Sequence, residues 1–420
     1  MTEGPEPDDP WGARKPDRPA APAPLALPQP EAAAPAADSS GAEQDETMTP
    51  VQFTGARGEW AGITGRGLAL YLPTFGFYRF WLRTEQRRFL WRSTAVGGEV
   101  LEYHGTAREL LIGFLVAIAV YLPLTIGYTL LGLYAETIQA FASVPFTLLL
   151  VLFGYYASFR ARRYRLTRTI FRGLRFWMDG SAWRYAFIAL GWLVASVLTL
   201  GIAWPWMAAR LEAIKWRHSH YGDLPGNFDG TGWALIKALF WPAVGLVVGA
   251  FVPVVNLILI PLMIAALLVV YSRWLISGVS FGPVRLFCDA GIKPILMPAL
   301  VATLVAGLFV AIWASIGYLT LLGILIGVVN QAGLIGGMWE LFQMVVVNGV
   351  AIALVVGWMV ILMLGLSFIK AVLFDFPRYR LLAGTTILSN VEALETVTQK
   401  GQAEGAFGEG LADALGSDGF

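Results

Sequence analysis

The sequence predicts an all-α fold: a polytopic transmembrane helical bundle with two clear internal repeats and one weak one. Composition is the first reason. Of 420 residues, 56% are hydrophobic and 14% charged, with a mean hydropathy of +0.62, values foreign to a water-soluble globule. Charge-free runs are the second: Leu110 to Ala135, Thr137 to Phe159, Tyr185 to Ala209, Ala238 to Ser272, Pro294 to Trp339 and Leu341 to Ile369. Each supplies the ~20 apolar residues that cross ~30 Å of hydrocarbon. Charge partition is the third. Residues 1–50 hold 10 acidic and 3 basic residues, and residues 375–420 hold 7 and 3. Out of totals of 29 and 30, this leaves 12 acidic and 24 basic residues between 51 and 374. A basic membrane body between acidic tails is topological information, because Lys and Arg in short loops stay on the cytoplasmic side. Nucleic acid is not needed to explain it.

Residues 1–50 contain 11 of the 23 prolines and 11 alanines, with almost no large aliphatic side chains. Too little apolar surface is present to offset the entropy of ordering, so a disordered acidic tail is expected. It lacks the basic start and apolar core of a cleaved secretory signal, and insertion is expected from an internal segment.

The membrane domain is expected over 51–374, in units of about 51–160, 176–275 and 281–370. Shifting the chain by 125 residues aligns 13 identities over the 56 positions from Gly55 to Leu110, where composition alone gives roughly four. The pairs include Thr74/Thr199, Gly76/Gly201, Trp81/Trp206, Trp91/Trp216, Arg92/Arg217, Gly97/Gly222, Gly105/Gly230 and Thr106/Thr231. The third copy rests on Arg175 and Asp179 matching Arg285 and Asp289 at a shift of 110. Each of the first two units reads as an apolar segment ending in T-x-G-x4-W, a basic aromatic linker, and two more apolar segments. The segments are about 60–82, 110–133 and 138–159; 185–207, 232–252 and 254–272; and 295–316, 318–339 and 344–369. Residues 375–420 read as a C-terminal soluble tail on the cytoplasmic side.

Two topologies compete, with six to nine full spans. If all nine segments cross, consecutive units are inverted, as in many transporters. If the first segment of each unit dips in and returns, every basic linker is cytoplasmic, which the positive-inside rule favours.

Within Arg160 to Trp177, Arg165, Arg168, Arg172 and Arg175 recur at spacings of three, four and three. On a helix they share one face, with Leu166, Ile170, Leu174 and Trp177 opposite, the pattern of a helix in the headgroup plane contacting anionic lipid. A positive-inside anchor that only fixes orientation explains the same residues. Gly76 and Gly201 read as interfacial turns followed by interfacial tryptophans, and Thr106 with Glu109 as a capping box. Arg79 to Arg92 is expected to pack against the bundle.

Catalytic signals are lacking. His104, His218 and His220 have no cysteine or carboxylate companions at metal-ligand spacing, the lone Cys288 has no well-placed histidine, and no nucleophile-elbow, zincin or phosphate-loop motif occurs. Neither a metal, a cofactor nor an enzymatic activity is expected. No Asp or Glu lies deep in an apolar segment, which weighs against a proton-coupled carrier. Asn330, Glu340 and Asn348 are the candidates for a polar pocket, although helix-to-helix hydrogen bonding explains the amides equally.

The strings TFGFYRFWLRTEQRRFLWRSTAVGG, YHGTARELLIGFL, RTIFRGLRFWMDGSAW and GEGLADALG together resemble the YjgN-like family of uncharacterised bacterial inner-membrane proteins, from about residue 51 to the end. The resemblance implies a bacterial inner-membrane location and a multi-span helical fold, and no activity. Two functions are expected to compete: a transporter or channel-like protein, and a membrane scaffold or lipid-interacting protein with basic interfacial helices. The expected partners are the bilayer and its anionic lipids.

Overall fold

A computed structural model of the chain describes residues 48–134, 136–249, 251, 253–332 and 349–400. Residues 1–47 of the expected N-terminal tail and 401–420 of the expected C-terminal tail, together with Glu340 and Asn348, lie outside the described residues, as does the side chain of Asn330.

The expectation of an all-α chain is corrected by an antiparallel sheet. Its eleven short strands are β1 (Met48–Phe53), β2 (Thr94–Val96), β3 (Glu99–Val100), β4 (Glu102–Tyr103), β5 (Thr169–Phe171), β6 (Leu174–Met178), β7 (Ser219–Tyr221), β8 (Leu224–Phe228), β9 (Val279–Phe281), β10 (Val284–Cys288) and β11 (Thr386–Ser389). They run in the order β3-β2-β1-β11-β10-β9-β8-β7-β6-β5-β4. The two edge strands are neighbours in the chain, separated only by Leu101, whose N–H donates to the Thr94 carbonyl at 3.1 Å. The ladder therefore returns almost to its own start, forming a near-barrel that leaves little unpaired edge. Strands from around the ring send Val51, Val96, Phe171, Tyr221 and Val284 into one buried cluster, which Val391 and Leu394 of a 3-10 turn (Val391–Leu394) complete.

Helices leave this ring and return to it five times. The first excursion is α1 (Arg57–Ala69) with α2 (Arg79–Arg92), and the second is α3 (Ala107–Tyr134) with α4 (Glu136–Thr167). The third is α5 (Ala182–Leu198) with α6 (Trp204–Arg217), and the fourth is α7 (Gly232–Gly249) with α8 (Pro253–Ser277). The fifth runs from α9 (Lys293–Ala332) to α10 (Gly349–Lys370), a π turn (Ala371–Asp375) and α11 (Phe376–Gly384). One backbone clamp closes each excursion. The N–H of Thr54, His104, Asp179, Asp229 and Asp289 donates to the carbonyl of Ser93, Arg168, His218, Gly278 and Thr385 respectively, at 2.8–3.2 Å.

Among the described residues six helical segments are long and apolar enough to span a bilayer: Ala107–Gly132, Phe141–Thr167, Gly232–Gly249, Val255–Ser277, Lys293–Gly323 and Val355–Gly384. Of an 18-residue apolar stretch within each, only 6–22% is buried within the protein, so their apolar surfaces face outward, as a bilayer-spanning helix requires. This is a multi-pass membrane protein, and its spans leave the ring in three pairs.

The first and third excursions are shorter. α1 and α5, with 13 and 17 residues, extend about 20 and 25 Å against ~30 Å of hydrocarbon. Each ends in the same turn. Thr74 Oγ1 donates to the Leu70 carbonyl (2.6 Å) and accepts from the Tyr78 N–H (3.1 Å). Thr199 Oγ1 likewise joins the Ala195 carbonyl (2.8 Å) to the Ala203 N–H (3.1 Å). Gly76 and Gly201, at φ +83° and +89°, donate to the carbonyls of Tyr71 and Ser196, a helix stop that glycine permits without Cβ strain. Phe75 and Leu200 at the tips are 93% and 94% exposed, an exposure that suits side chains immersed in lipid. The interfacial turns expected at the two glycines are thus reversals between helices that return to their own ring.

The helix expected over Arg160 to Trp177 ends at Thr167 and gives way to the β5–β6 hairpin. Arg172 and Gly173 form its two-residue turn with φ +48° and +75°, and Thr-Ile-Phe before it and Phe-Trp-Met after it are β-formers. The 375–420 tail likewise contributes α11, β11 and the 3-10 turn to the body of the fold.

Candidate functional site

The four arginines singled out from sequence are not one face. Arg168 forms an ion pair with Glu109 at 2.5 Å, and Glu109 also accepts from Tyr164 Oη at 2.7 Å while closing the capping box with Thr106. Arg175 Nη1 donates to the Thr167 carbonyl at 2.9 Å, Arg172 sits on the hairpin turn 3.9 Å from Glu395, and Arg165 lies in the last turn of α4. Of the histidines, His104 meets Glu102 at 2.8 Å, His218 meets Asp179 at 2.7 Å, and His220 stacks on Trp177 with centroids 4.2 Å apart. Asn330 lies on α9, and the rest of the expected polar pocket falls outside the described residues.

Two cavities instead flank the α5–α6 hairpin. The first surrounds a buried cluster that sequence reading missed. Glu212 of α6 is 7% exposed; Arg162 Nη1 of α4 approaches it at 3.4 Å, and Lys215 Nζ donates to its other oxygen. The Arg162 guanidinium also lies over the Trp216 ring, 4.1 Å from its centroid, a placement suited to a desolvated cation. Burial pushes the Glu212 carboxyl up, but Lys215 and Arg162 outweigh it and hold the group below the ordinary carboxylate range. Burial, reinforced by Arg162, lowers Lys215 despite the pull of Glu212. The cavity of about 400 Å³ is lined by Glu212 and Lys215 with Tyr155, Ser158, Tyr185, Trp204 and Tyr271. Trp204 and Tyr271 also border an apolar groove of about 640 Å³ between α6, α7 and α8. The only sequence signal was a lone carboxylate three residues before a lysine in an otherwise basic helix, and its arginine partner is 50 residues away.

The second cavity, about 360 Å³, lies behind Tyr185, where α5 begins and α6 ends. Phe159, Tyr185, Ile188 and Ile214 form its apolar floor, and Arg184, Arg210, Arg217 and His218 its rim. Ser181 caps α5 there, its Oγ accepting from the Arg184 N–H at 3.4 Å. The guanidinium groups of Arg184, Arg210 and Arg217 have no side-chain partner among the described residues. A rim of unpaired cations above apolar side chains has the chemistry of a headgroup site at a membrane surface.

No curated protein and no solved structure matches the chain. Residues 48–414 match the family described as bacterial protein of unknown function, DUF898, and the chain belongs to that family.

Proposed function

We propose that the protein is an inner-membrane, lipid-interacting protein that holds anionic phospholipid at the cytoplasmic interface, a binding role and not a catalytic one. The observation that carries this reading is the rim of Arg184, Arg210 and Arg217, without side-chain partners among the described residues, above an apolar floor. It replaces the headgroup contact expected at Arg165, Arg168, Arg172 and Arg175, because Arg168 and Arg175 spend donors on Glu109 and Thr167. Supporting the cytoplasmic side for the ring and the C-terminal segment is the positive-inside rule, since the basic linkers at α2, α4–β5 and α6 all join one sheet. The shared Thr-x-Gly tips and the five clamps support an origin by internal repetition, and the quoted strings support a place near the YjgN-like members of the family.

A conduit through the ring is disfavoured by Val51, Phe171 and Tyr221, which fill it. The test is lipid retention by the full chain purified from membranes, with Arg184, Arg210 and Arg217 changed together to Gln. At about 1 kcal/mol per cation, retention of phosphatidylglycerol and cardiolipin should fall roughly a hundredfold, with zwitterionic lipid unchanged. Equal retention of anionic lipid by the triple variant overturns the reading.

A further inference from the structure

We infer that the cavity at Lys215 is a second binding site, taking the carboxylate of a single-chain amphiphile whose tail lies in the apolar groove between α6, α7 and α8. It goes beyond the phospholipid reading, since it lies on the other face of Tyr185 and draws on different residues.

Charge is the first argument. Arg162 and Lys215 converge on one carboxylate, Glu212, and side-chain exposures of 17%, 19% and 9% put all three largely out of water. Among the described residues the two cations that touch Glu212 outnumber it, and Arg165 adds further positive potential at both, an excess that a buried site strongly disfavours and a bound anion relieves. The donors left in the cavity, two Lys215 N–H groups and two tyrosine hydroxyls, match the roughly four acceptor sites of a carboxylate, whereas the three oxygens of a phosphate monoester would leave acceptors unmet.

The donors fit the same head. Lys215 has three N–H groups, of which Glu212 engages one. Tyr155 and Tyr271 line the cavity, and their hydroxyls make no hydrogen bond among the described residues. Trp204 and Tyr271, their rings 6.4 Å apart, belong to both the polar cavity and the apolar groove, so one continuous path leads from the ammonium into a slot walled by Ile236, Leu239, Phe240 and Leu268. At about 400 and 640 Å³, the two compartments are each of ordinary ligand-site size. The groove lies beside helices that meet lipid, which gives a membrane-dissolved amphiphile direct access.

The experiment uses the full-length protein in phosphatidylcholine nanodiscs, with palmitate brominated along its chain as probe and tryptophan quenching as readout. Saturable quenching is expected, and Trp204→Phe should remove much of it. The brominated methyl ester, which lacks the charge but keeps the tail, should bind the unaltered protein at least about tenfold more weakly. Lys215→Met should weaken palmitate by a similar factor, whereas Glu212→Gln, which raises the positive charge, should leave it equal or tighter. Changing Arg184, Arg210 and Arg217 to Gln should not alter palmitate binding, which separates this site from the phospholipid pocket. Equal affinity for acid and ester overturns the inference without any variant. So does loss on Glu212→Gln as large as on Lys215→Met, the behaviour of a merely structural cluster. Tighter binding of hexadecyl phosphate than of palmitate overturns the choice of carboxylate.

Discussion

Asp179 and His218 hold each other twice: the Asp179 N–H donates to the His218 carbonyl at 3.0 Å, and the Asp179 carboxylate meets His218 Nδ1 at 2.7 Å. The backbone bond closes the third helical excursion, and the side-chain pair sits at the rim of the cationic pocket. These two contacts respond differently to substitution. Asp179→Ala keeps the backbone clamp and removes a half-exposed side-chain hydrogen bond, so stability should change by about 1 kcal/mol or less. It also removes a carboxylate beside the anionic-lipid rim, so the variant should retain more phosphatidylglycerol than the natural protein after identical purification. Unchanged or lower retention would count against a headgroup site at Arg217 and His218.

The return of every helix pair to one sheet fixes an expected labelling pattern. With Cys288→Ala as background, single cysteines replacing Glu99, at the start of the edge strand β3, and Asp223, in the β7–β8 turn, should react with a membrane-impermeant maleimide from the same side. A cysteine replacing Phe251, between α7 and α8 and 82% exposed, should react only from the opposite side. Cysteines replacing Phe75 and Leu200 should resist the water-soluble reagent from both sides and react with a lipid-soluble one. Labelling of the Asp223 and Glu99 positions from opposite sides would overturn the shared ring.

The sequence shows most of the membrane-spanning material but little of the ring. Long charge-free runs are averages over ~20 residues, and Ala107–Gly132 or Lys293–Gly323 carry that signal strongly. Strands such as Thr169–Phe171, Ser219–Tyr221 and Val279–Phe281 have three residues, too few for a period-two pattern to emerge beside apolar helices. The Arg165–Arg175 spacing suited a helix only because it straddled a helix end and a hairpin. Threonine and glycine at 74/76 and 199/201 were legible as a pair because each performs a backbone task without a general substitute. Glu212 was not legible, since its burial depends on Arg162, which only the tertiary fold brings near.

The ring's alkaline limit should follow Tyr221. Its hydroxyl donates to the Phe171 carbonyl at 3.0 Å inside the apolar cluster. Burial pushes its pKa up to about 12, against a smaller opposing pull from Arg172. A folded pKa above the unfolded value of about 10 means that the fold favours the protonated phenol. Its contribution is therefore complete below about pH 10 and is lost as pH rises towards about 12. Tyr221→Phe should cost about 1 kcal/mol at neutral pH and should narrow its deficit against the natural protein across that window. Denaturation midpoints measured at intervals above about pH 9 give the comparison, and parallel curves for the two proteins would remove Tyr221 as the titrating group.

The C-terminal segment offers the sharpest steric test. From Asn390 onward the chain crosses the hairpin turns: Asn390 Nδ2 donates to the Pro283 carbonyl at 3.3 Å, the Thr398 N–H to Asp223 Oδ1 at 3.2 Å, and the Arg175 N–H to Gln399 Oε1 at 2.8 Å. The Thr398 amide also holds the exposed Asp223 carboxyl below its ordinary range. Gly222, at φ +55°, lies beneath this crossing, and a Cβ there would sit 2.3 Å from Val397 Cγ1 and 2.6 Å from the Thr398 carbonyl oxygen. A side-chain tip could swing away, but a backbone oxygen cannot move without the segment that carries it. Gly222→Ala should therefore lift residues 397–400 from the ring, with a left-handed penalty of about 1–2 kcal/mol at the turn itself. Digestion with a lysine-specific protease reads the release: cleavage after Lys400 should accelerate several-fold, while Asp223→Asn, which weakens one hydrogen bond and adds no bulk, accelerates it less. Equal cleavage rates in Gly222→Ala and the natural protein would show that this crossing does not hold the segment down.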